Sequence, residues 1–150
     1  MNLVSVYRER QAIMILYDLL KERTAEQSIS HTKMPTCEEH AEFVRKQPYL
    51  AWYLIQVPPL TYEAAVFDKE RPKYVGSVYL TKQREVGIFI FKAYHGQGYA
   101  KRALQYIRKK WPGRMLAHVN PQNEPSKKLF EAMGSKVIQL TYEVPEPEGV

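Results

Sequence analysis

The sequence has very little cysteine and no long apolar segment. Its 150 residues include one cysteine, Cys37, so no disulfide can form within the chain. No apolar run approaches the roughly 20 residues that a membrane-spanning helix needs. The first residues, MNLVSVYRERQ, lack the basic and then apolar pattern of a secretory signal. These absences predict a cytoplasmic protein with no membrane partner.

The composition is ordinary, but the charge is unevenly distributed. Hydrophobic residues make up 45% and charged residues 25%, which predicts a single globular domain over residues 1–150. The net charge is +6. Residues 92–128 contain nine lysines and arginines against one acid, a net charge of +8, while the rest of the chain has thirteen against fifteen. A polyanionic ligand is therefore expected near this segment, either cofactor phosphates or a nucleic acid.

The most informative segment runs from Glu85 to Lys110. An apolar stretch at 85–91 predicts a strand, and the turn His95-Gly96-Gln97-Gly98-Tyr99-Ala100 follows it. The turn leads into a basic amphipathic helix from about 98 to 110. A helix N-terminus carries unpaired N–H groups and a partial positive charge, and glycine lets a ligand approach the backbone closely. This segment predicts a site for a phosphate-bearing cofactor.

Known phosphate-binding motifs do not explain the turn by themselves. The third glycine of a dinucleotide-binding motif is missing, and the absence of Gly-Lys-Ser/Thr excludes a P-loop. The order of elements around the turn is more specific. The patterns predict strands at 3–7, 49–57, 63–67, 74–80, 85–91, 115–119 and 137–144 and helices at 10–22, 36–46, 98–110 and 124–133. Thr36 and Glu39 form a capping-box pattern, and Asn123 is a predicted N-cap.

This order and the turn resemble the GNAT superfamily of acetyl-CoA-dependent N-acetyltransferases. The family's turn pattern, (Arg or Gln)-x-x-Gly-x-(Gly or Ala), corresponds to residues 95–100 here, with His95 departing from it. The resemblance implies a mixed α+β fold with a central, mostly antiparallel, twisted sheet of six to seven strands and about four helices. Strands 85–91 and 115–119 would splay apart. Residues 1–73 would form the acceptor side and residues 74–144 the acetyl-CoA side.

The resemblance also implies which residues form the site. Backbone N–H groups near Ile88, Phe89 and Ile90 would hold the pantetheine arm. The turn and the Asn that starts the next helix would contact the rest of acetyl-CoA. The implied cofactor-binding residues are Ile88, Phe89, Ile90, His95, Gly96, Gln97, Gly98, Tyr99, Ala100, Lys101 and Asn123.

The proton transfers of the reaction are less well defined by the sequence. Glu85 lies where related enzymes often carry a base, and the alternative interpretation is a solvated acid at a strand end. Because side chains alternate along a strand, Glu85 is expected on the face of Gly87 and Phe89. The family's usual tyrosine acid corresponds to Phe130, so Tyr99, Tyr142 or water would have to replace it. His118 is expected to be a packed residue of a short strand.

The predicted activity is acetyl transfer from acetyl-CoA to a primary amine by direct attack in a ternary complex. The expected acceptor is a small molecule such as an amino sugar or a nucleotide-linked amino sugar. Alternatives are a protein N-terminal or lysine acetyltransferase, a nucleic-acid-binding or nucleic-acid-modifying protein, and a non-catalytic CoA-binding module. No metal is expected, because His31, Cys37 and His40 lack the paired spacing of a zinc site. The family resemblance leaves a homodimer open.

Overall fold

A four-stranded antiparallel sheet forms the centre of the computed structural model, which describes residues 1–23, 33–67, 69 and 71–149. Its strands lie in the order β1-β2-β3-β4. They are β1 (Asn2–Ser5), β2 (Ala51–Val57), β3 (Lys73–Leu80) and β4 (Val86–Ile90). The predicted strands at 49–57, 74–80 and 85–91 thus correspond to β2, β3 and β4, which lie side by side with β4 at one edge of the sheet.

Helices cover both faces of the sheet. They are α1 (Ala12–Lys21), α2 (Cys37–Arg45), α3 (Tyr62–Val66), α4 (Tyr99–Lys110) and α5 (Glu124–Ala132). One core cluster joins α1 and α2 to the sheet through Leu16, Val44 and Leu54. The other joins α4 to the opposite face through Ile55, Val78 and Ile107. No helix in the described ranges is long and apolar enough to cross a membrane.

The local helix signals in the sequence are confirmed. The N–H of Glu39 donates to the Thr36 hydroxyl at 3.1 Å, and the Glu39 carboxylate accepts from the Thr36 N–H at 3.3 Å, so α2 begins with the predicted capping box. The Asn123 side chain accepts from the Ser126 N–H at 3.2 Å and caps α5. Both caps satisfy N–H groups within three residues of chain, which explains why sequence alone predicted them.

The prediction of a strand at 63–67 is wrong. Residues Tyr62–Val66 form α3, and the Thr61 hydroxyl accepts from the Ala64 N–H at 3.0 Å. No residue of this helix is buried. An apolar run is ambiguous between helix and strand when it is short, and here the N-cap decided the outcome.

The prediction of six to seven strands is also wrong, since the described residues contain four. Segment 115–119 contributes a single parallel bridge, between Leu116 and Glu85. Segment 137–144 forms no ladder, and its apolar side chains are exposed, with Val137 and Tyr142 each 79% accessible. Alternating apolar residues form a strand only where a partner edge offers unpaired backbone groups. No described edge pairs with 137–144.

His40 is buried where α1 packs on α2. It is 4% exposed, its ring lies 5.5 Å from that of Tyr17, and its Nε2 has no hydrogen-bond partner among the described groups. Burial lowers its pKa, and a hydrogen bond with the Ile13 backbone partly opposes this effect. His40 is thus a packed helix residue rather than part of the glycine-turn site.

A His40→Phe substitution should reduce the acid sensitivity of folding. Because the pKa is lower in the folded state, the unfolded chain binds the proton more readily, and stability falls as pH drops below about 6.5, the ordinary histidine value. Urea midpoints at pH 7 and pH 5 check this. The wild type should lose more stability than His40→Phe over that interval, and identical losses would contradict the burial argument.

Candidate active site

The glycine turn between β4 and α4 has the backbone conformation that only glycine adopts easily. Gly96 has a φ of 75° and Gly98 a φ of 80°, both in the left-handed region. A Cβ built at either position would meet no atom within 4 Å. The turn therefore presents its backbone to open space at the start of a 12-residue helix. The first N–H groups of that helix have no intrahelical acceptor, and the dipole favours an anion there.

Two side chains, His95 and Arg102, contact carbonyl groups of the turn and of the end of β4. The His95 Nε2 lies 2.8 Å from the Ile90 carbonyl oxygen at the end of β4. Arg102 donates to the carbonyl of Gln97 at 3.3 Å and to that of Gly98 at 3.4 Å, and its guanidinium lies over the Tyr99 ring. These contacts involve carbonyl oxygens only, so they do not occupy the N–H groups of the turn.

The free edge of β4 supplies further backbone donors. Thr81 donates to the Glu85 carbonyl and Phe91 to the Val75 carbonyl across the β3–β4 ladder. Since backbone groups alternate in direction along a strand, the amides of Gly87 and Phe89 also face β3. The amides of Val86, Ile88 and Ile90 face the other way. Of the three predicted pantetheine-binding positions, Ile88 and Ile90 therefore direct their N–H groups to the open edge, whereas Phe89 directs its own into the sheet.

A backbone bridge pairs the outer edge of β4 at the end that lies away from the glycine turn. The Val86 N–H donates to Leu116 at 2.8 Å, and the Leu116 N–H donates to Arg84 at 3.0 Å. Beyond this bridge the two segments form no ladder in the described residues. Among the described residues the edge of β4 is thus unpaired from the bridge to the glycine turn. The family resemblance implied two splayed segments at this place.

Glu85 lies at the closed end of the edge, in contact with His118. The Glu85 Oε1 and the His118 Nε2 are 3.2 Å apart, with the side chains 38% and 52% exposed. The sequence did not predict this pair, and His118 was expected to be a packed residue. The two residues are 33 positions apart, so no local pattern joins them, and only the Glu85–Leu116 bridge brings them together.

Arg84 holds the bridge in position. Its guanidinium donates to the carbonyl oxygens of Trp111, Pro112 and Arg114 at 2.9, 2.7 and 3.3 Å. These three carbonyls belong to the loop after α4. Arg84 therefore ties the turn before β4 to the segment that carries His118.

An Arg84→Ala substitution should destabilise the protein by about 2 kcal/mol, because it removes three hydrogen bonds to a charged donor that are partly exposed to solvent. Urea denaturation measures the change. Lys82→Ala, an exposed residue in the same turn, is the matched control and should stay within about 0.5 kcal/mol of wild type. Equal effects of the two substitutions would show that the Arg84 contacts do not stabilise the fold.

Alternation along β4 predicts Glu85 on the α1–α2 side of the sheet, and the effect of its charge on Tyr79, which packs on that side, agrees with this prediction. Phe89 packs in the α1–α2 cluster, whereas Val86, Ile88 and Ile90 pack in the α4 cluster. The Tyr79 ring lies against Gly87, where any Cβ would overlap it. Burial mainly raises the pKa of Tyr79, the Arg23 charge opposes the rise, and the nearby Glu85 charge adds to it.

Arg23 brings a positive charge to the same face. Its guanidinium lies 4.5 Å from the centroid of the Phe89 ring. The preceding residue, Glu22, accepts a 2.9 Å hydrogen bond from the Lys92 N–H, which fixes the end of α1 beside the end of β4. Tyr49 stacks on Tyr79 at 4.3 Å between ring centroids. Among the described residues this face thus combines aromatic rings, the Arg23 guanidinium and the Glu85–His118 pair.

The other predicted site residues are distributed as follows. Tyr99, Ala100 and Lys101 form the first turn of α4. Phe130 packs on the α4 core cluster, and Tyr142 is exposed in the C-terminal segment. Cys37 is exposed at the start of α2, and His31 lies outside the described residues. Within the described ranges no three His, Cys, Asp or Glu side chains come together as a metal site.

A family model described as an acetyltransferase (GNAT) domain matches residues 7–136. The chain belongs to the GNAT acetyltransferase family. A search of curated proteins found no match.

Solved structures of the same fold support the assignment. A domain from Methanocaldococcus jannaschii DSM 2661 has a TM-score of 0.73 at 16% identity, over 95% of this chain and 93% of that one. An N-acetyltransferase from Staphylococcus aureus Mu50 has a TM-score of 0.56 at 14% identity, over 89% and 80%. A probable acetyltransferase has a TM-score of 0.57 at 20% identity, over 99% of both chains. At these identities the likeness concerns the fold.

The family assignment indicates the kind of ligand whose chemistry suits the glycine turn. GNAT proteins use acetyl-CoA, whose pyrophosphate and 3′-phosphate suit a basic glycine turn. The turn of this GNAT chain, its basic helix α4 and the free edge of β4 are contiguous, and together they can hold an anionic group at one end and an extended chain along the edge.

Proposed function

We propose that the protein transfers the acetyl group of acetyl-CoA to the primary amine of a small molecule, by direct attack in a ternary complex. The observation that carries this proposal is the glycine turn, open at both glycines, next to an edge of β4 that no described residue pairs beyond the Leu116 bridge. The N–H groups from Gly96 to Lys101, with the positive charge of α4, would hold the pyrophosphate. Asn123 caps α5 and would contact the cofactor through the start of that helix.

The amides of Ile88 and Ile90 would bind the pantetheine arm along the open edge. A backbone donor aimed at the thioester carbonyl stabilises the negative charge that develops on its oxygen, an effect worth about 3 kcal/mol per donor in other enzymes. The thioester would then lie toward the closed end of the edge, beside Glu85. An amine is protonated at neutral pH, and it must lose a proton before attack, so a proton acceptor is required there.

The face around Glu85 favours a small anionic amine as acceptor. The Arg23 guanidinium over Phe89 would attract a phosphate or carboxylate and repel a lysine-rich peptide. Aromatic rings such as those of Tyr49 and Tyr79 offer flat surfaces to a ring-shaped ligand. An amino sugar, in particular a nucleotide-linked amino sugar, has this chemistry. A small-molecule reaction of this kind agrees with a cytoplasmic enzyme.

Calorimetry with acetyl-CoA, followed by a thiol-release assay on a panel of amines, tests the proposal. We expect micromolar binding of acetyl-CoA and the fastest release of CoA with nucleotide-linked amino sugars. Amino sugars without an anionic group should react more slowly, and basic peptides more slowly still. A folded protein that does not bind acetyl-CoA would overturn the proposed function. Faster turnover of basic peptides would overturn the acceptor class alone.

A further inference from the structure

The Glu85–His118 contact bears on which side chain accepts the proton of the attacking amine. This inference rests on the proposed function. We propose that His118 takes the proton from the attacking ammonium and that Glu85 acts through His118 as a positioning residue. The contact of 3.2 Å joins the Glu85 Oε1 to the His118 Nε2. This leaves Nδ1 as the ring nitrogen that would meet the acceptor.

The backbone determines where this pair lies. Glu85 is the bridge partner of Leu116, and His118 follows two residues later, so the bridge holds the segment that carries His118 beside Glu85. Glu85 lies directly before the free edge of β4, at the end opposite to the glycine turn. A cofactor whose phosphates bind the turn and whose arm follows Ile90 and Ile88 brings its thioester toward this pair.

Charged and titratable groups around the pair come from several elements. Burial mainly raises the pKa of Tyr79 on β3. The Arg23 charge at the end of α1 opposes this rise, and the Glu85 charge adds to it. Arg84 is turned away, because its guanidinium is bonded to the carbonyls of Trp111, Pro112 and Arg114. The carboxylate of Glu85 therefore remains available to His118, and both side chains are exposed enough to meet a substrate.

The chemistry favours imidazole as the proton acceptor. Imidazole titrates near neutral pH, whereas a carboxylic acid does so near pH 4, so imidazole is the better acceptor for an ammonium proton at neutral pH. The lone pair of Nδ1 takes one proton from the ammonium, and Glu85 stabilises the resulting imidazolium. The amine nitrogen then forms the C–N bond, the C–S bond breaks, and the thiolate receives the second proton of that nitrogen. His118 returns its proton to water.

This sequence of steps also accounts for Phe130. The leaving thiolate is protonated by the attacking nitrogen, so no tyrosine is needed at the position that Phe130 occupies. Phe130 instead packs against the α4 core cluster.

A comparison of two small nucleophiles tests the role of His118 without knowledge of the natural acceptor. Ethylamine is protonated at neutral pH, while hydroxylamine is neutral. His118→Gln should lower acetyl-CoA-dependent acetylation of ethylamine about 100-fold and leave that of hydroxylamine within about threefold, because only ethylamine needs a base. Glu85→Gln should lower the ethylamine rate about tenfold. Calorimetry should give wild-type affinity for acetyl-CoA in both variants.

The matched control is Glu42→Gln, which makes the same chemical change in an exposed ion pair with Lys46 on α2. It should leave both rates unchanged. Equal losses with the two nucleophiles in His118→Gln would assign it a structural role, and a larger loss in Glu85→Gln than in His118→Gln would make Glu85 the base. A wild type that binds acetyl-CoA but fails to accelerate the ethylamine reaction would also overturn the inference. Absence of acetyl-CoA binding would instead overturn the proposed function.

Discussion

A Gly98→Trp variant is expected to bind acetyl-CoA at least about 100-fold more weakly than the wild type, a free-energy difference of about 3 kcal/mol. Gly98 has a φ of 80° and precedes the first residue of α4. A side chain at this position extends into the open space in front of the turn. An indole there would occupy the volume that we assign to the pyrophosphate and would shield the N–H groups of the helix. Calorimetry with acetyl-CoA measures the loss.

Gly134→Trp is the matched control for this experiment. Gly134 also has a φ of 80°, it follows α5, and a Cβ there meets no atom within 4 Å. Both variants therefore bear the same strain of a left-handed residue, about 1–2 kcal/mol. Only Gly98→Trp should lose the ligand. If both variants bind acetyl-CoA like the wild type, the cofactor does not use the turn. If both lose binding, the cause is a general loss of structure.

A Gly76→Ala substitution should destabilise the fold by about 3 kcal/mol, near the upper end of what overpacking a core does. Gly76 is buried in β3 and pairs with Ile90 of β4. A Cβ at Gly76 would overlap the carbonyl oxygen of Phe89 and lie 2.8 Å from the Ile90 Cδ1. The oxygen belongs to the sheet backbone and cannot rotate away, so β4 must move from β3. Urea denaturation gives the change in stability.

The same displacement should weaken acetyl-CoA binding, because Ile88 and Ile90 lie on the strand that moves. Gly96→Ala is the comparison for stability. A Cβ at Gly96 meets nothing, so only its φ of 75° disfavours alanine, and the loss should be about 1 kcal/mol. A Gly76→Ala protein as stable as Gly96→Ala would mean that the two strands tolerate a wider spacing than the ladder indicates.

The sequence determined the features that depend on neighbouring residues. The capping box of Thr36 and Glu39, the Asn123 cap and the glycine turn each act within a few positions of one another. The alternation of β4 likewise predicted Glu85 on the face of Phe89, because side chains alternate in every strand. The family resemblance added the chemistry expected at the turn, and the match over residues 7–136 confirmed the family.

The tertiary structure decided what depends on residues far apart in the chain. It left 137–144 without a partner strand among the described residues, since a strand exists only when another edge accepts its backbone hydrogen bonds. It also placed His118 beside Glu85 and turned Arg84 to carbonyls 27 to 30 residues away. Such contacts form because the fold joins β4 to the loop after α4, and no periodicity within either segment encodes which side chains will meet.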